Sequence, residues 1–450
     1  MKLKVKKIPY IEGEVFAPSS KSYSHRAVML ASLASGTSKL YYPLISDDTM
    51  ATIGACRILG ADINQYASYL EIKGTGGNIK ATFQSHIFGV EPEGIIYLGN
   101  SGTSLRLLTS MASLSENEVT FTGDESLQTR PMDDLLNALK PLGVKTESNN
   151  GKAPINVFPG FEGGETSISG SISSQFISSI LISAPLSKKG VKLNVLPEFI
   201  SKPYVNMTID IMNKFGVDVG INKSVKHDDC LKDYQSCSSV EYEVSPQEYE
   251  STEYIIEGDY SSSSYLLGAC GACGGELTVL NLFKDSKQGD KLIIDILKEM
   301  GADITVEEDS VTIKSDGNLK GIDVDLSNAP DLLITVAVLG ALAEGETKIT
   351  GVRHSRFKET DRIATTCSEL TKCGCIVEEF EDGMVIKGQT ISTDEEIIVN
   401  SHKDHRLVMA FSLIGLKHNI TIEDGDVFSV SFPNFIEKME QLNVTMSLGF

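Results

Sequence analysis

Apolar positions in this chain recur in two alternating patterns, and each pattern predicts a helix followed by a strand. In the first pattern an amphipathic helix ends at Gly and a short strand follows. Gly suits this place because the residue after a helix often takes a left-handed conformation, and Asn is the next best residue there. The intervals are about 70–85 residues, which indicates an internal repeat. The six occurrences are at Gly60, Gly143, Gly216, Gly301, Gly374 and Asn443.

The second pattern is a small or polar residue followed by a helix that is apolar on nearly all of its faces. Such helices are expected to be buried. Their starts are Ser22, Gly102 with Thr103, Ser173 with Ser174, Ser261 with Ser262, Asp331, and His405 with Arg406. Each repeat should therefore contain one buried helix and one amphipathic helix.

The repeats fall into two groups of three, divided by the polar segment 222–252. We interpret this segment as an edge hairpin with an inserted loop. Its run His227, Asp228, Asp229 and Cys230 could in principle ligate a metal, but adjacent residues rarely converge on one ion, so a solvated loop is favoured. We expect a first domain at 18–252 and a second formed by 1–17 and 253–450, with the active site in the cleft between them.

Composition narrows the class of protein. The 450 residues are 41% hydrophobic and 22% charged, the balance of an ordinary globular protein. No apolar run approaches the ~20 residues of a membrane span, and the basic N-terminus lacks the apolar core of a signal peptide, so we expect a cytoplasmic protein. The net charge of −21 argues against nucleic acid or an anionic membrane as a partner.

The eight cysteines do not suggest a disulfide framework. Cys270 with Cys273, and Cys373 with Cys375, have spacings that could serve a metal. Since no His or second Cys pair lies near Cys270 and Cys273 in the sequence, buried structural thiols are favoured. We expect no metal and no other cofactor.

The helix starts carry more polar residues than capping requires. A helix N-terminus favours anions through its free N–H groups and its dipole, and Lys21 and Arg26 add two full charges at the first of these starts. Arg130, Lys358 and Arg362 stand at the starts of amphipathic helices. We interpret Lys358 and Arg362 as an i, i+4 pair on one helix face, although a solvated, salt-bridged helix would explain the same residues. The pattern predicts an anion-binding site.

Five motifs, taken together and in this order, resemble those of the 5-enolpyruvylshikimate-3-phosphate (EPSP) synthase family, and the resemblance covers nearly the whole chain. The motifs are Ser20-Lys21-Ser22-x-Ser24-His25-Arg26, Leu98-Gly99-Asn100-Ser101-Gly102-Thr103, Ser173-Ser174-Gln175-Phe176, Lys358-Glu359-Thr360-Asp361-Arg362 and Asp404-His405-Arg406. The resemblance implies an α/β (α+β) fold, a two-domain inside-out α/β barrel of six βαβαββ units with three in each domain. We expect a monomer.

The resemblance also implies a reaction. The enolpyruvyl group of phosphoenolpyruvate (PEP) moves to the 5-hydroxyl of shikimate 3-phosphate by addition and then elimination of phosphate, in the shikimate pathway to chorismate and the aromatic amino acids. Both small-molecule substrates carry a phosphate and a carboxylate, which suits a site rich in cations.

Site residues are carried over by the same resemblance. The implied ligands of shikimate 3-phosphate are Lys21, Ser22, Arg26, Ser173, Ser174, Gln175, Ser201, Asp331 and Lys358. The implied ligands of PEP are Lys21, Gly102, Arg130, Gln175, Arg362 and Arg406. The implied catalytic residues are Asp331 and Glu359 as carboxylates and Lys21 as a proton donor.

One position departs from the family pattern. Many members have Lys shortly before a Phe-Pro motif near the C-terminus, where it contacts PEP, whereas this chain has Val430 before Phe432 and Pro433. Lys403 could supply the missing cation. Two alternatives remain open, namely the enolpyruvyl transferase that uses UDP-N-acetylglucosamine and a catalytically dead anion-binding protein of the same fold, which the Val430 departure makes plausible.

Overall fold

The structure is a computed structural model that describes residues 1–83, 94–223, 239–391 and 396–449. Within these ranges the chain alternates short β-strands with α-helices. The helices of the first half are α1 (Lys21–Leu33), α2 (Asp47–Ile58), α3 (Gly102–Ala112), α4 (Asp133–Leu139), α5 (Ser174–Ser183) and α6 (Lys202–Lys214). Those of the second half are α7 (Tyr260–Cys273), α8 (Ile293–Glu299), α9 (Leu333–Leu342), α10 (Arg362–Lys372), α11 (His405–Gly415) and α12 (Phe435–Gln441).

The strands are short. Up to residue 256 they are β1 (Lys2–Val5), β2 (Ile11–Phe16), β3 (Thr37–Tyr41), β4 (Asp62–Gln65), β5 (Tyr69–Lys73), β6 (Ile95–Tyr97), β7 (Val119–Thr122), β8 (Thr146–Asn149), β9 (Lys152–Val157), β10 (Gly164–Ser169), β11 (Val191–Leu196), β12 (Gly220–Lys223), β13 (Val240–Val244) and β14 (Glu253–Ile255). The later strands are β15 (Gly275–Leu280), β16 (Asp303–Val306), β17 (Ser310–Ser315), β18 (Asp323–Asp325), β19 (Glu346–Thr350), β20 (Ile376–Phe380), β21 (Gly383–Lys387), β22 (Ile397–Asn400), β23 (Ile420–Glu423) and β24 (Met446–Gly449).

The chain divides into two compact units. The N-terminal unit is Lys21–Ile256, and the composite unit combines Met1–Ser20 with Glu257–Phe450. The N-terminal unit contains the four-stranded sheets β14-β3-β5-β4, β6-β7-β9-β8 and β10-β11-β13-β12. The composite unit contains the sheets β2-β15-β17-β16, β18-β19-β21-β20 and β22-β23-β1-β24.

All six sheets have one topology. In each, an edge strand pairs in parallel with its neighbour, and the remaining two pairings are antiparallel, as β10 with β11, β11 with β13 and β13 with β12 illustrate. A parallel pair needs a crossover connection, and a buried helix such as α5 supplies it. The expected α/β fold of six βαβαββ units, three in each unit of the chain, is therefore confirmed.

Helix burial follows the apolar patterning. Every residue of α7, α9 and α11 is buried, which is why these helices show no polar face. Gly268 lets α7 lie close to its neighbours, because an added Cβ would be 3.3 Å from Leu413 of α11 and 3.5 Å from Leu339 of α9. The three helices thus pack against one another within the core of the composite unit.

The repeated Gly or Asn after each amphipathic helix takes the predicted left-handed conformation. The φ values are 108° at Gly60, 92° at Gly143, 81° at Gly216, 110° at Gly301, 89° at Gly374 and 62° at Asn443. A residue with a Cβ is strained there, and Asn is among the residues that tolerate it best. The prediction of six equivalent helix ends is confirmed.

The polar segment at 222–252 is described only in part. Its flanking strands β12 and β13 pair antiparallel, as a hairpin requires, with β12 at the sheet edge. Residues 224–238, which include His227, Asp228, Asp229 and Cys230, lie outside the described residues. Tyr249, further along, is buried and donates a hydrogen bond from its hydroxyl to the Ile182 carbonyl at 2.9 Å.

Candidate active site

Lys21 is the first residue of α1 and binds the start of α2. Its Nζ lies 2.9 Å from Asp48 Oδ2, with both side chains largely buried. The Asp48 main-chain carbonyl in turn accepts hydrogen bonds from Ser101 Oγ at 3.4 Å and Ser104 Oγ at 3.3 Å. The first turns of α1, α2 and α3 are therefore tied together around one lysine.

Arg26 is a buried cation whose hydrogen bonds go to neutral groups. Its Nε donates to Thr208 Oγ1 at 2.7 Å and its Nη1 to the Ser22 carbonyl at 2.9 Å. Its Nη2 donates to the Tyr204 carbonyl at 3.3 Å and Ser178 Oγ at 3.5 Å. Burial lowers the pKa of Arg26 to about 10. A guanidinium desolvated in this way is stabilised when an anion reaches it.

At the start of α3 the Arg130 guanidinium lies against the backbone of Gly102. A Cβ added to Gly102 would lie 2.3 Å from Arg130 Nη1, and the φ of Gly102 is outside the left-handed region. The left-handed turn residue is Gly99, with φ 57°. Arg130 Nη2 hydrogen-bonds Asn100 Oδ1, and Asn100 Nδ2 donates to Asp124 Oδ2 at 2.8 Å. Gly102 is therefore required for close approach of a guanidinium.

The start of α5 is joined to α3 through Gln175. Ser173 caps α5 by accepting a hydrogen bond from the Gln175 N–H at 3.3 Å, and Ser174 is buried. Gln175 Oε1 accepts from Arg106 Nη1 at 2.9 Å, and its Nε2 donates to Thr103 Oγ1 at 2.9 Å. A capping residue would not need these amide contacts, so Gln175 has a positioning role as well.

The predicted residues of the N-terminal unit thus converge on a set of neighbouring helix starts. Ser201 precedes α6 in a left-handed conformation with φ 54° and is buried. The contacts above contain four cations and two carboxylates, namely Lys21, Arg26, Arg106, Arg130, Asp48 and Asp124. The excess of positive charge suits an anionic ligand.

Arg362 organises the predicted residues of the composite unit. Its Nε lies 2.8 Å from Asp404 Oδ2, its Nη1 3.0 Å from Asp331 Oδ1 and its Nη2 2.6 Å from Glu359 Oε2. The guanidinium is 2% exposed. Burial opposes the charged form, but the three carboxylates outweigh it and raise the pKa of Arg362. The two predicted catalytic carboxylates, Asp331 and Glu359, therefore both form ion pairs with Arg362.

Arg406 extends this cluster. Its Nη2 lies 2.8 Å from Asp331 Oδ2, and its Nη1 is 3.4 Å from Tyr265 Oη and also contacts Ser261 Oγ. Asp404, the N-cap of α11, accepts a hydrogen bond from the Arg406 N–H at 2.9 Å. The Asp404 carboxylate therefore both caps α11 and forms an ion pair with Arg362.

The expected i, i+4 pair of Lys358 and Arg362 on one helix face is wrong. Asp361 caps α10 by accepting the Ala364 N–H at 3.0 Å, so the helix begins at Arg362 and Lys358 precedes it in extended backbone. Arg356 binds Asp361 at 2.9 Å and fixes this turn. Lys358 therefore lies before the helix and not on its surface.

His354 lies in the turn of 3-10 helix before Lys358. Burial, followed by the Lys358 charge, lowers the pKa of His354 to about 4. The imidazole is therefore neutral near pH 7 and offers a hydrogen bond without a charge.

The position that departs from the family is partly buried. Val430 ends the turn Val427–Val430. Lys403 is exposed, with φ 60°, next to Asp404.

Several contributors were given no role of their own in the sequence analysis. They are Asp48, Asn100, Thr103, Arg106, Tyr265 and Asp404. Four of them stand in or beside the recognised motifs at the starts of buried helices, whereas Asp48 lies on α2 and Tyr265 lies in the second turn of α7, where no local signal marked them.

The cysteines singled out in the sequence are buried, unbridged thiols. Burial raises the pKa of Cys270 to about 12 and that of Cys273 and Cys375 to about 11, and it also raises the pKa of Cys373. Among the described residues, no three or more His, Cys, Asp or Glu side chains form a group that could hold a metal ion. In the same part of the chain, no helix is long and apolar enough for a membrane crossing.

Taken together, the fold and the two clusters define a six-repeat α/β protein with arginine-rich helix starts. The model of the family described as EPSP synthase (3-phosphoshikimate 1-carboxyvinyltransferase) matches residues 5–439. The chain therefore belongs to the EPSP synthase family.

Individual relatives agree. The 3-phosphoshikimate 1-carboxyvinyltransferase of Methanobrevibacter smithii is 61% identical over 450 residues, which is 100% of each chain. The enzyme of that name from Methanothermobacter thermautotrophicus is 50% identical, also over 100% of each chain. Among solved structures, an EPSP synthase of Acinetobacter baumannii matches 99% of this chain and 100% of its own, with a TM-score of 0.77 and 27% identity.

Proposed function

We propose that the protein carries out the reaction of its family with the two clusters described above, one contributed by each unit. As a member of the EPSP synthase family, it transfers the enolpyruvyl group of PEP to the 5-hydroxyl of shikimate 3-phosphate and releases phosphate, in the shikimate pathway to the aromatic amino acids.

Shikimate 3-phosphate is assigned mainly to the N-terminal unit. Arg26 supports this assignment, because a buried guanidinium whose hydrogen bonds go to neutral oxygens gains most from a phosphate or carboxylate. The other proposed ligands are Lys21, Ser22, Ser173, Ser174, Gln175, Ser201, Asp331 and Lys358. The free N–H groups of the helix starts add further donors for the same anion.

PEP is assigned to arginines of both units. Arg362 and Arg406 contribute from the composite unit, while Arg130, held against Gly102, contributes from the N-terminal unit with Lys21 and Gln175. Arginine forms two parallel hydrogen bonds to a carboxylate or phosphate, which orients PEP as well as binding it. Arg362 and Arg406 now contact Asp331, so an arriving anion shares or replaces those contacts.

The addition step needs one proton removed and one supplied, and the elimination step returns the acid and the base to their starting states. In the addition step, a carboxylate takes the proton of the shikimate 3-phosphate 5-hydroxyl, the oxygen bonds to C2 of PEP, and an acid protonates the methylene carbon. In the elimination step, the deprotonated acid takes a proton back from the new methyl group, the C2–O bond to phosphate breaks as the double bond re-forms, and the carboxylic acid gives its proton to the leaving phosphate. We assign the carboxylates to Asp331 and Glu359, and the acid to Lys21, whose ammonium is held by Asp48.

The observation that carries this proposal is the contact of Arg362 with both Asp331 and Glu359, which lie in separate stretches of sequence. Glu359→Gln should lower kcat by about 100-fold or more, the usual contribution of a general acid or base, and change either KM by less than about fivefold. Glu381→Gln is the matched control, since Glu381 forms an exposed ion pair with Arg353. Equal kcat values for the two variants would reject the role of Glu359.

We further propose that the protein acts as a monomer in the cytoplasm. Sedimentation of the active enzyme tests this, and activity confined to a dimer fraction would argue against it.

A further inference from the structure

A fully buried carboxylate on α10 has no part in the chemistry proposed above. Glu369 lies seven residues, or about two turns, after Arg362, and its side chain is 0% exposed. Its Oε1 lies 2.6 Å from His402 Nε2 and 2.7 Å from Lys372 Nζ, and its Oε2 accepts the Asn400 N–H at 3.0 Å. Since an ionised carboxylate only accepts hydrogen bonds, His402 donates from Nε2.

The charge state of Glu369 agrees with these contacts. Burial alone would raise the pKa of Glu369, but the hydrogen bonds from Lys372, Asn400 and His402 outweigh it and lower that pKa. A buried carboxylate is costly unless it is paired and hydrogen-bonded. The Glu369 carboxylate therefore holds Lys372, Asn400 and His402 in place.

One of those donors, Asn400, ends β22, and another, His402, lies in the loop between β22 and α11, which bends through an unfavourable backbone conformation. His402 and Lys403 have φ values of 50° and 60°, both left-handed, and neither is glycine. Consecutive left-handed residues persist only where their surroundings hold them. Asn400 Oδ1 accepts the His402 N–H at 2.6 Å, and Ser401 Oγ accepts the Lys403 N–H at 3.2 Å. From outside the loop, Glu369 holds His402, while the Asp424 and Glu423 carbonyls accept hydrogen bonds from Ser401.

Asp404 directly follows this bend, so the bend sets the position of its side chain. Its carboxylate is 0% exposed, accepts the Arg406 N–H at 2.9 Å and lies 2.8 Å from Arg362 Nε. Helix α10 thus contacts the loop at two places. Arg362 forms an ion pair with Asp404, and Glu369, two turns later, accepts a hydrogen bond from His402. Loss of the contact between Glu369 and His402 would allow the bend to unwind and would move Asp404 away from Arg362 and Arg406.

We propose that Glu369 and His402 are positioning residues that hold the left-handed bend at 402–403, and so set the geometry of Arg362 and Arg406 toward the anionic groups of PEP. This inference rests on the assignment of both arginines to PEP. Neither Glu369 nor His402 need touch substrate.

A pair of variants separates this role from a general structural one. His402→Ala and Lys372→Ala each remove one donor from the same oxygen of Glu369, but only His402 belongs to the loop. His402→Ala should raise the KM for PEP by about tenfold, because a small misplacement of binding groups is costly, and leave the KM for shikimate 3-phosphate within about twofold. Lys372→Ala should leave both unchanged. His402→Gln, which can donate from its amide, should recover most of the loss.

A second measurement needs no substrate. Hydrogen–deuterium exchange of a peptide covering 400–407 should speed up in His402→Ala and stay at the wild-type rate in Lys372→Ala and His402→Gln. The inference is overturned if His402→Ala and Lys372→Ala match in both PEP KM and exchange. Failure of the wild-type protein to turn over PEP with shikimate 3-phosphate would instead reject the proposed function, and the exchange rates would still test whether His402 holds the loop.

Discussion

Replacing Gly102 with alanine tests how PEP is held. The added methyl would lie 2.3 Å from Arg130 Nη1, 3.5 Å from its Cζ and 3.7 Å from its Cδ. Ordinary contact between such atoms is about 3.5–4.0 Å, so the tip of the guanidinium must retreat by about 1 Å or more. This movement falls on a side chain, because all three of these atoms belong to Arg130, and it disturbs the hydrogen bond from Arg130 Nη2 to Asn100.

The expected cost follows from that displacement. Overpacking by one methyl costs about 1–3 kcal/mol, and a 1 Å misplacement of a binding group can lower the rate by about 100-fold. We therefore expect Gly102→Ala to raise the KM for PEP by about 10- to 100-fold, with little change in the KM for shikimate 3-phosphate or in Tm. Steady-state phosphate release and thermal melting measure these quantities.

Two controls belong to the same experiment. Gly449→Ala adds a methyl with nothing within 4 Å among the described residues and should behave as wild type. Gly99→Ala places a Cβ at φ 57° with similar space around it, so it should lower Tm without a selective effect on PEP. In an Arg130→Gln background, Gly102→Ala should have little further effect. A full effect of the methyl in that background, or an unchanged PEP KM in the single variant, would refute the reasoning.

Two further predictions concern charge. Val430→Lys should lower the KM for PEP about tenfold while leaving shikimate 3-phosphate unaffected, since a charge-assisted hydrogen bond contributes about 1.5–3 kcal/mol; no gain, together with a raised PEP KM in Lys403→Ala, would place that contact at Lys403. The pKa of His25 is lowered to about 3, chiefly by burial, so between pH 6.5 and 3 the unfolded chain binds a proton there that the folded protein does not, and stability falls as pH falls. Urea unfolding at pH 7 and pH 5 should show a smaller loss for His25→Gln than for wild type, and equal losses would contradict the assignment.

Local signals in the sequence accounted for the repeat and for several cations at the helix starts. A left-handed residue after a helix leaves a Gly or Asn at a fixed place, so the helix ends at Gly60 and Asn443 could be predicted without tertiary information. Arg26, Arg362 and Arg406 stood out because they occur at helix starts where a cap needs no cation. These features depend on a few neighbouring residues.

Pairings across the fold could not be predicted in this way. Lys21 meets Asp48 and Arg362 meets Asp404 because separate helices pack together, and no local pattern records such a contact. The start of α10 was wrongly placed before Lys358 because the true cap is Asp361, and Asp361 is held by Arg356 in a contact that no local pattern in the sequence records. Glu369 was missed since a buried Glu in an amphipathic helix resembles a solvated one in sequence.

The most direct test of the account is a single incubation of the purified protein with PEP and shikimate 3-phosphate. Phosphate should appear in a one-to-one ratio with a product that mass spectrometry identifies as shikimate 3-phosphate carrying one carboxyvinyl group, and Glu359→Gln should form it about 100-fold more slowly. A parallel incubation with UDP-N-acetylglucosamine in place of shikimate 3-phosphate should release no phosphate. Phosphate release with UDP-N-acetylglucosamine but not with shikimate 3-phosphate, or no release with either, would contradict the account.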